Sequence, residues 1–330
     1  MKVLYMMRKP EEKGLAIAHE VIDDSATLIF NDDLQEEEKE EILAEVDIII
    51  GGRLTDEQLK IANNLKMQQS FGTGVERHNL EYFKEKGIIF CNNHSHAFVI
   101  AEYGFSLLNA ASKELLSNDQ LLRKGSWDYK KHESISLYDK TMVFLGYGEI
   151  AKSFKRLCEP FNMKFLAVKR TEECEDPSVN VFLADQKKEA LKKADFIFNS
   201  LPLTKKTTSF LDEEEFKIMK ENTIVINVGR GKTINERALY NALKEKKIKG
   251  AAIDTWYVYP ENRFGEDQEP DICFPSDYPF QELDNIIMSA HRAWVTDIPL
   301  FESPENLIQN VNRFIRGEIP ENVVNFDEEY

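Results

Sequence analysis

Cysteine is scarce in this chain, and its few thiols are not spaced as a metal or redox pair. Cys91, Cys158, Cys174 and Cys273 are scattered, and no two of them form a C-x-x-C motif. Disulfide frameworks and thiolate metal sites use closely spaced or patterned cysteines. We therefore expect reduced thiols and no structural metal.

Long apolar runs are also missing from the sequence. No stretch reaches the length of a membrane span. The first residues, Met-Lys-Val-Leu-Tyr-Met-Met-Arg, lack the extended apolar region and the small-residue cleavage site of a signal peptide. We expect a cytoplasmic protein with no membrane partner.

Positive charge is in deficit. The 42 lysines and arginines stand against 58 acidic residues, which gives a formal net charge of -16. Nucleic-acid binding needs a basic face to meet the phosphate backbone, so the balance argues against DNA or RNA as a partner. It says little about small substrates, which respond to the local field.

With 330 residues, the chain is long enough for two domains. Up to about residue 100, short apolar runs alternate with amphipathic helical stretches, which predicts a small parallel sheet covered by helices. The predicted strands are residues 3–7, 27–30, 47–50, 65–70 and 88–91, and the predicted helices are 11–22, 36–46, 55–63 and 79–86. One long amphipathic helix, residues 97–124, is expected to bridge the two domains.

A second alternation follows, and its count of six strands is that of a doubly wound dinucleotide-binding domain. The strands are residues 141–145, 164–168, 195–199, 223–228, 250–253 and 285–289. After a last helix, 304–315, the tail is expected to return to the first domain. The predicted fold is α/β, with two doubly wound parallel-sheet domains: a flavodoxin-like substrate domain (1–100 plus 297–330) and a Rossmann-type nucleotide domain (101–296).

The stretch Thr141-Met-Val-Phe-Leu-Gly146-Tyr147-Gly148-Glu149-Ile150-Ala151 reads as a strand, a glycine-rich turn and a helix start. Gly146 allows a tight turn, Gly148 leaves room for a pyrophosphate, and Ala151 is small enough for close packing of helix on strand. The anion would lie on free N–H groups at the positive end of the helix. We therefore predict cofactor binding at residues 146–150.

Several motifs in the same order resemble the D-isomer-specific 2-hydroxyacid dehydrogenases, and the resemblance covers most of the chain. The matching stretches are Gln69-Ser-Phe-Gly-Thr-Gly-Val75, Ala101-Glu102, Gly146-Tyr-Gly-Glu-Ile-Ala151, Ser200-Leu-Pro-Leu-Thr204, Ile226-Asn-Val-Gly-Arg-Gly231, Ala252-Ile-Asp254 and Ser289-Ala-His-Arg292. Members of this family interconvert a 2-keto acid and a D-2-hydroxy acid with a nicotinamide cofactor that binds in the cleft between the domains.

The resemblance implies roles for individual residues. Arg230 would pair with the substrate carboxylate and keto oxygen through the parallel donors of its guanidinium. His291 would donate the proton in ketone reduction, because an imidazole holds or releases a proton near neutral pH. Thr73 and Gly74 would offer backbone N–H groups to the substrate carboxylate.

Further positions follow from the same comparison. Ser95 and His96 would tune the choice of substrate side chain, and Trp256 and Trp294 are candidates for shaping the acyl pocket. Asp254 would accept a hydrogen bond from the carboxamide of the cofactor or would orient Arg230. The remaining predicted cofactor contacts are Leu201, Pro202, Thr208, Val228 and Gly229.

One departure from the family concerns the partner of the histidine. Where the family has a glutamate, this chain has Tyr259. A phenol can hold the imidazole in place, but it is neutral and does not stabilise imidazolium as a carboxylate does. We therefore expect a less basic His291 and an acid limb of the pH profile that is displaced downward. The formate dehydrogenase branch, which has an amide at this site, shows that a neutral partner is compatible with hydride transfer. Glu261 is an alternative partner if the loop bulges, although Pro260 constrains its path.

A second departure concerns cofactor choice. About twenty residues after the glycines, an NAD site usually places an acidic residue against the ribose hydroxyls. This chain has Lys169, followed by Arg170 and Thr171. Two cations and a hydroxyl suit the extra phosphate of NADP, so NADP is favoured over NAD.

The sequence thus predicts an NAD(P)-dependent D-2-hydroxyacid dehydrogenase that acts on a small 2-keto or 2-hydroxy acid and forms a homodimer. The alternative is a protein that senses nicotinamide nucleotides on the same fold with weakened catalysis, since sites rather than folds determine function.

Overall fold

The structure of the protein is a computed structural model, which describes residues 1–128, 130, 133–261, 272–297 and 304–330. The chain divides into two compact units. The first comprises Met1–His96 with Asp297–Tyr330, and the second is Ala97–Thr296. None of the helices in the described part of the chain has the length and hydrophobicity that a bilayer crossing requires.

The first unit contains a five-stranded parallel sheet in the order β2-β1-β3-β4-β5. This order is that of flavodoxin-like folds. The strands are β1 Lys2–Tyr5, β2 Thr27–Phe30, β3 Ile48–Ile50, β4 Met67–Gln69 and β5 Ile89–Cys91, and the helices that connect them are α1 Glu12–Val21, α2 Glu36–Glu45, α3 Asp56–Ile61 and α4 Leu80–Lys86.

The central strand β3 shows why this sheet is covered on both faces. Ile48, Ile49 and Ile50 are completely buried. Successive side chains of a strand point to opposite faces, so Ile49 packs in one apolar core and its two neighbours pack in another. A run of three isoleucines is the pattern expected of a parallel strand between two layers of helices.

The second unit contains a seven-stranded parallel sheet, with the chain order reversing between β6 and β9: β12-β11-β10-β9-β6-β7-β8. Its strands are β6 Thr141–Leu145, β7 Lys164–Lys169, β8 Val179–Leu183, β9 Phe196–Asn199, β10 Ile224–Asn227, β11 Gly250–Ile253 and β12 Ile286–Met288. Its helices are α5 Ala97–Ser112, α6 Leu115–Arg123, α7 Glu149–Cys158, α8 Lys187–Leu191, α9 Glu213–Ile218 and α10 Glu236–Lys244. The predicted fold class, two parallel-sheet α/β units, is confirmed.

Two details of the prediction were wrong. The sheet of the second unit has a seventh strand, β8, which pairs with β7 at the edge of the sheet. The predicted helix 97–124 is instead two helices, because Glu114 adopts a left-handed backbone with φ +54°. The first helix ends where the backbone N–H of Ile135 donates to the Ser112 carbonyl at 2.8 Å, and the Glu114 carboxylate pairs with Lys249 at 3.1 Å.

The segment after residue 304 packs on the first unit. Its helix, α11 Glu305–Ile315, buries Leu307, Ile308 and Val311 in the same core as β1 and β3. Further on, Val323 forms an antiparallel bridge with Cys91, and the Val324 N–H donates to the Phe90 carbonyl at 2.9 Å. The tail therefore extends the sheet beyond β5.

Candidate active site

The glycine turn after β6 has the geometry that an anion requires. Gly146 adopts φ +78°, which favours glycine. Gly148 precedes the first residue of α7, a helix of ten residues, and a Cβ placed on it would meet no atom within 4 Å. Open space in front of unused N–H groups at a helix start fits a pyrophosphate. The first helical residues, Glu149 and Ile150, lie at this end, and Glu149 pairs with Lys152 at 2.8 Å.

Tyr147, between the two glycines, turns its side chain into the protein. Its ring lies 5.4 Å from that of Phe144, and its hydroxyl donates to the Asp176 carboxylate at 3.2 Å. Burial, with the Asp176 charge as a second cause, raises the pKa of Tyr147 above its usual range. Any contact of Tyr147 with a dinucleotide would therefore come from its backbone.

Lys169 is the last residue of β7, where a ribose-binding acid would stand. Its ammonium group donates to the backbone carbonyl of Glu173, within the loop that follows the strand. Arg170 and Thr171 are exposed at the start of this loop. The side chain of Asp176, further along the loop, accepts from Lys155 at 3.0 Å and from the Ser178 hydroxyl at 2.6 Å. The strand end is thus basic, and this composition fits a ribose that carries a phosphate.

The loop after β9 lies directly against the turn that carries Arg230. A Cβ on Gly229 would come within 2.7 Å of the Leu201 carbonyl oxygen, so only glycine allows this approach. Leu201 is nearly buried and Pro202 is partly exposed. The hydroxyl of Thr208 donates to the Thr204 carbonyl at 2.9 Å, which closes the turn of its own loop.

Arg230 follows β10, and buried amides fix its backbone. The Arg230 carbonyl accepts from the Thr233 hydroxyl at 2.6 Å and from the Asn227 amide at 3.3 Å. Asn199, at the end of β9, donates to both of these side chains, at 2.7 Å to Thr233 and 3.0 Å to Asn227. The guanidinium is half-buried, with Nη1 donating to the Gly229 carbonyl at 2.8 Å. Val228, at the start of the turn, is buried.

His291 lies just beyond β12 and has Tyr259 as a partner. The imidazole Nδ1 and the Tyr259 hydroxyl share a hydrogen bond of 3.1 Å. His291 has φ +51°, a left-handed conformation that is uncommon outside glycine. Its carbonyl accepts from the indole N–H of Trp294 at 3.0 Å. Glu261, the alternative partner, is exposed.

Asp254 is completely buried, and its carboxylate holds the loop that bears His291. It accepts from the backbone N–H groups of Arg292 at 2.9 Å and Ala293 at 3.1 Å, and from the hydroxyl of Ser289. The loop after β12 thus supplies three donors to this carboxylate, within residues 289–293.

The sequence did not reveal how Trp256 and Ser289 contribute. Trp256, expected to shape an acyl pocket, is only 5% exposed, and its indole N–H donates to the Ser289 carbonyl at 2.7 Å. The hydroxyl of Ser289 also contacts that of Tyr103 on α5 at 2.8 Å. These contacts join residues that are far apart in the chain, so no local pattern signals them.

In the first unit, the loops after β4 and β5 are bonded to each other. Thr73 donates its hydroxyl to the Asn93 carbonyl at 2.9 Å, and its own carbonyl accepts from the Asn92 amide at 3.1 Å. Gly74 continues the first of these loops. In the second, the Ser95 hydroxyl lies 2.8 Å from Nδ1 of His96, and burial lowers the pKa of that histidine to about 4. His96 is therefore neutral at pH 7.

Within the described residues, no group of three or more His, Cys, Asp or Glu side chains is arranged to hold a metal ion.

Three polar residues predicted from the sequence lie at the carboxyl edge of the sheet of the second unit. Arg230 follows β10, Asp254 follows β11 and His291 follows β12, three strands that are neighbours in the sheet. In open α/β sheets, ligands bind at this edge.

Known proteins share both the sequence pattern and the fold. Residues 105–293 match the family described as D-isomer specific 2-hydroxyacid dehydrogenase, NAD binding domain. The chain is 32% identical over 304 residues to a D-3-phosphoglycerate dehydrogenase of Methanocaldococcus jannaschii, which covers 88% of this chain and 54% of that protein. It is 29% identical to a glyoxylate reductase of Pyrococcus furiosus, over 90% of this chain and 89% of that protein.

Among solved structures, a probable 2-hydroxyacid dehydrogenase of Rhizobium etli, in complex with NADP, HEPES and L(+)-tartaric acid, superposes with a TM-score of 0.78 at 21% identity. The match covers 100% of this chain and 99% of that one. It supports the two-sheet fold. The chain thus spans about half of the phosphoglycerate dehydrogenase but nearly all of the glyoxylate reductase and of the Rhizobium protein.

Proposed function

Because the chain belongs to the D-isomer-specific 2-hydroxyacid dehydrogenase family, we propose that it is a nicotinamide-dependent oxidoreductase that interconverts a small 2-keto acid and a D-2-hydroxy acid. One observation carries the proposal: Arg230 and the hydrogen-bonded pair of His291 and Tyr259 lie at the ends of neighbouring strands, in the unit that also holds the glycine turn. Besides the hydride that a nicotinamide cofactor would supply, ketone reduction needs a cation that binds the substrate and a proton donor.

Arg230 is proposed to bind the carboxylate of the substrate and to polarise its keto oxygen. A guanidinium presents parallel donors that match a carboxylate. Its backbone is fixed by the buried amides of Asn199 and Asn227. The Cα of Arg230, from which the guanidinium extends, therefore has a defined position. Preorganised charge of this kind stabilises the developing alkoxide without reorganisation.

His291 is proposed to hold a proton at Nε2 and to donate it to the keto oxygen as that oxygen gains negative charge. The hydrogen bond from Nδ1 to Tyr259 orients the ring. A nicotinamide cofactor, when bound, supplies the hydride. In the reverse direction, neutral His291 takes the proton from the hydroxyl of the hydroxy acid.

We propose NADP as the favoured cofactor. The support is the basic end of β7, where Lys169 and Arg170 precede Thr171. Further along the loop, the Asp176 carboxylate is paired with Lys155. An acid at Lys169 would repel the extra phosphate, and none is present.

Further parts of the proposal concern residues away from these strand ends. Backbone N–H groups of Thr73 and Gly74 are proposed to bind the substrate carboxylate, with Ser95 and His96 tuning the choice of substrate side chain. A homodimer is proposed, and the exposed leucines of α6, namely Leu115, Leu116 and Leu122, are apolar surface that association would bury. The proposed location is the cytoplasm.

The proposed function is tested with a panel of 2-keto acids, each assayed with NADH and with NADPH by loss of absorbance of the reduced cofactor. We expect turnover with at least one acid and a D-configured product. Cofactor binding is measured in parallel by fluorescence. Cofactor binding without turnover of any acid would instead indicate a protein that senses nicotinamide nucleotides.

A further inference from the structure

We propose that Trp256 is a positioning residue, which sets the placement of His291 and of the Arg230 turn from one common point. The inference rests on the proposed function, because it assigns Trp256 to that same site. It differs from the expectation of an acyl-pocket aromatic, since the indole is buried and bonded within the protein.

The first contact is made by the indole. Its N–H donates to the Ser289 carbonyl at 2.7 Å, and Ser289 lies two residues before His291 and directly after β12. Phenylalanine at this position would fill much of the same space but would have no donor. The indole N–H therefore fixes the point from which the His291 loop leaves the sheet.

The second contact is made by the backbone of Trp256. Its N–H donates to the Tyr259 hydroxyl at 2.8 Å, and that same hydroxyl lies 3.1 Å from Nδ1 of His291. The phenol oxygen is therefore bonded on one side to Trp256 and on the other to the imidazole. Trp256 therefore restrains His291 in two ways: its indole restrains the backbone just before His291, and its backbone N–H holds the hydroxyl that contacts the imidazole.

The third contact joins Trp256 to the substrate-binding arginine. A Cβ on Gly231 would overlap the Trp256 carbonyl group, so the turn that carries Arg230 packs directly on this backbone. Trp256 itself is buried in the apolar core that also holds β10 and β11, and its ring additionally meets Phe280 edge to face at 5.7 Å. A buried residue with these contacts can fix the position of the Arg230 turn relative to the His291 loop.

The conformation of His291 explains why such a restraint is needed. Its left-handed φ of +51° costs energy for a residue with a side chain and persists only when the surroundings impose it. A displacement of about 1 Å in a reacting group can lower a rate by about 100-fold. Loss of the indole donor should therefore slow proton donation more than it weakens cofactor binding.

The test compares Trp256→Phe with Phe280→Leu. Both variants reduce the packing of the same aromatic pair, but only the first removes the bond to Ser289. We expect Trp256→Phe to lower kcat about 10- to 100-fold with little change in cofactor affinity, and Phe280→Leu to retain kcat at a similar loss of thermal stability. In a His291→Ala background, Trp256→Phe should lower the remaining rate no further, because the lost indole donor acts through His291 and the backbone contact of residue 256 with the Arg230 turn is kept.

A second variant and a second readout keep the test independent of folding and of turnover. Benzothienylalanine at position 256 keeps the shape of the bicyclic ring but lacks the N–H. In protein labelled at its histidines, the His291 ring resonances should change in both Trp256 variants and not in Phe280→Leu. Unchanged His291 resonances, an equal kcat loss in Phe280→Leu, or a full further loss in the His291→Ala background would overturn the proposal. Absence of turnover in the wild type would refute the proposed function, and the resonances would still decide the role of Trp256.

Discussion

The phenol oxygen of Tyr259 lies 3.1 Å from Nδ1 of His291, so an uncharged group stands beside this nitrogen. The same oxygen accepts the backbone N–H of Trp256 at 2.8 Å. Tyr259 thus orients the imidazole without supplying the negative charge that would stabilise its protonated form. The structure favours this residue over Glu261, which is exposed.

Replacing Tyr259 by glutamate should change the pH dependence of reduction. The reaction needs protonated His291, so its rate falls as pH rises through the titration of that group. A carboxylate beside Nδ1 stabilises imidazolium, and the fall should therefore move to higher pH in Tyr259→Glu. The measurement is kcat for keto acid reduction between pH 5 and 9, with Tyr259→Phe as the control that loses the oxygen without adding charge. For Tyr259→Phe we expect about a tenfold lower kcat from the loss of the hydrogen bond to His291, and the bond from the Trp256 N–H is lost with it. An unchanged profile in Tyr259→Glu would show that the pair does not govern the rate.

Cofactor preference should depend on Arg170 more than on Lys169. Arg170 is exposed directly after β7, and its guanidinium can offer a phosphate two parallel donors, whereas the Lys169 ammonium is a point charge that donates to the Glu173 carbonyl. We expect Arg170→Ala to lower kcat/KM for NADPH about tenfold, as for loss of one charge-assisted hydrogen bond, and to leave that for NADH nearly unchanged. Lys169→Ala should have a smaller effect. An equal loss of kcat/KM with NADPH and with NADH in Arg170→Ala would show that Arg170 does not bind the extra phosphate.

Acid should destabilise the protein through two histidines of the first unit. Burial lowers the pKa of His96 to about 4, and burial with the nearby Arg53 charge lowers that of His78 to about 4. Below the usual histidine pKa of about 6.5, the unfolded chain binds more protons than the folded one, so stability falls as pH drops from about 6.5 towards 4 and is level above that range. For His96 alone the loss should be about 2 kcal/mol at pH 5.

Urea unfolding at pH 7.5 and pH 5 measures this effect. In His96→Asn, the difference in unfolding free energy between the two pH values should shrink by about 2 kcal/mol relative to the wild type. The matching His78→Phe variant should reduce it as well. A wild-type difference that survives both substitutions would assign the acid sensitivity to other groups.

Much of the fold could be read from the sequence because each central strand is a buried apolar run. Strand β3, with Ile48, Ile49 and Ile50 all inside, needs no long-range information to be recognised. The edge strand β8 gives a weaker signal, since only Val179 among its residues is buried. The break at Glu114 depends on contacts with residues 135 and 249, which a helical pattern does not reveal.

In the candidate site, too, local sequence motifs could be recognised, whereas contacts between distant residues could not. Residues in short motifs, such as Arg230 between two glycines, could be proposed from the sequence alone, and the structure explains those glycines by close approach to Leu201 and Trp256. The partners of Asp254 were not identified, because they lie 35 to 39 residues away along the chain. Such contacts arise when the ends of β11 and β12 become neighbours in the sheet.

The most direct measurement is the reduction of one active 2-keto acid by the wild type, Arg230→Ala and His291→Ala under identical conditions. Both variants should keep cofactor affinity and lose at least about 100-fold in kcat/KM, with a raised KM for the keto acid in Arg230→Ala and a lowered kcat in His291→Ala. A folded variant of either kind that turns over the keto acid at the wild-type rate would contradict the account.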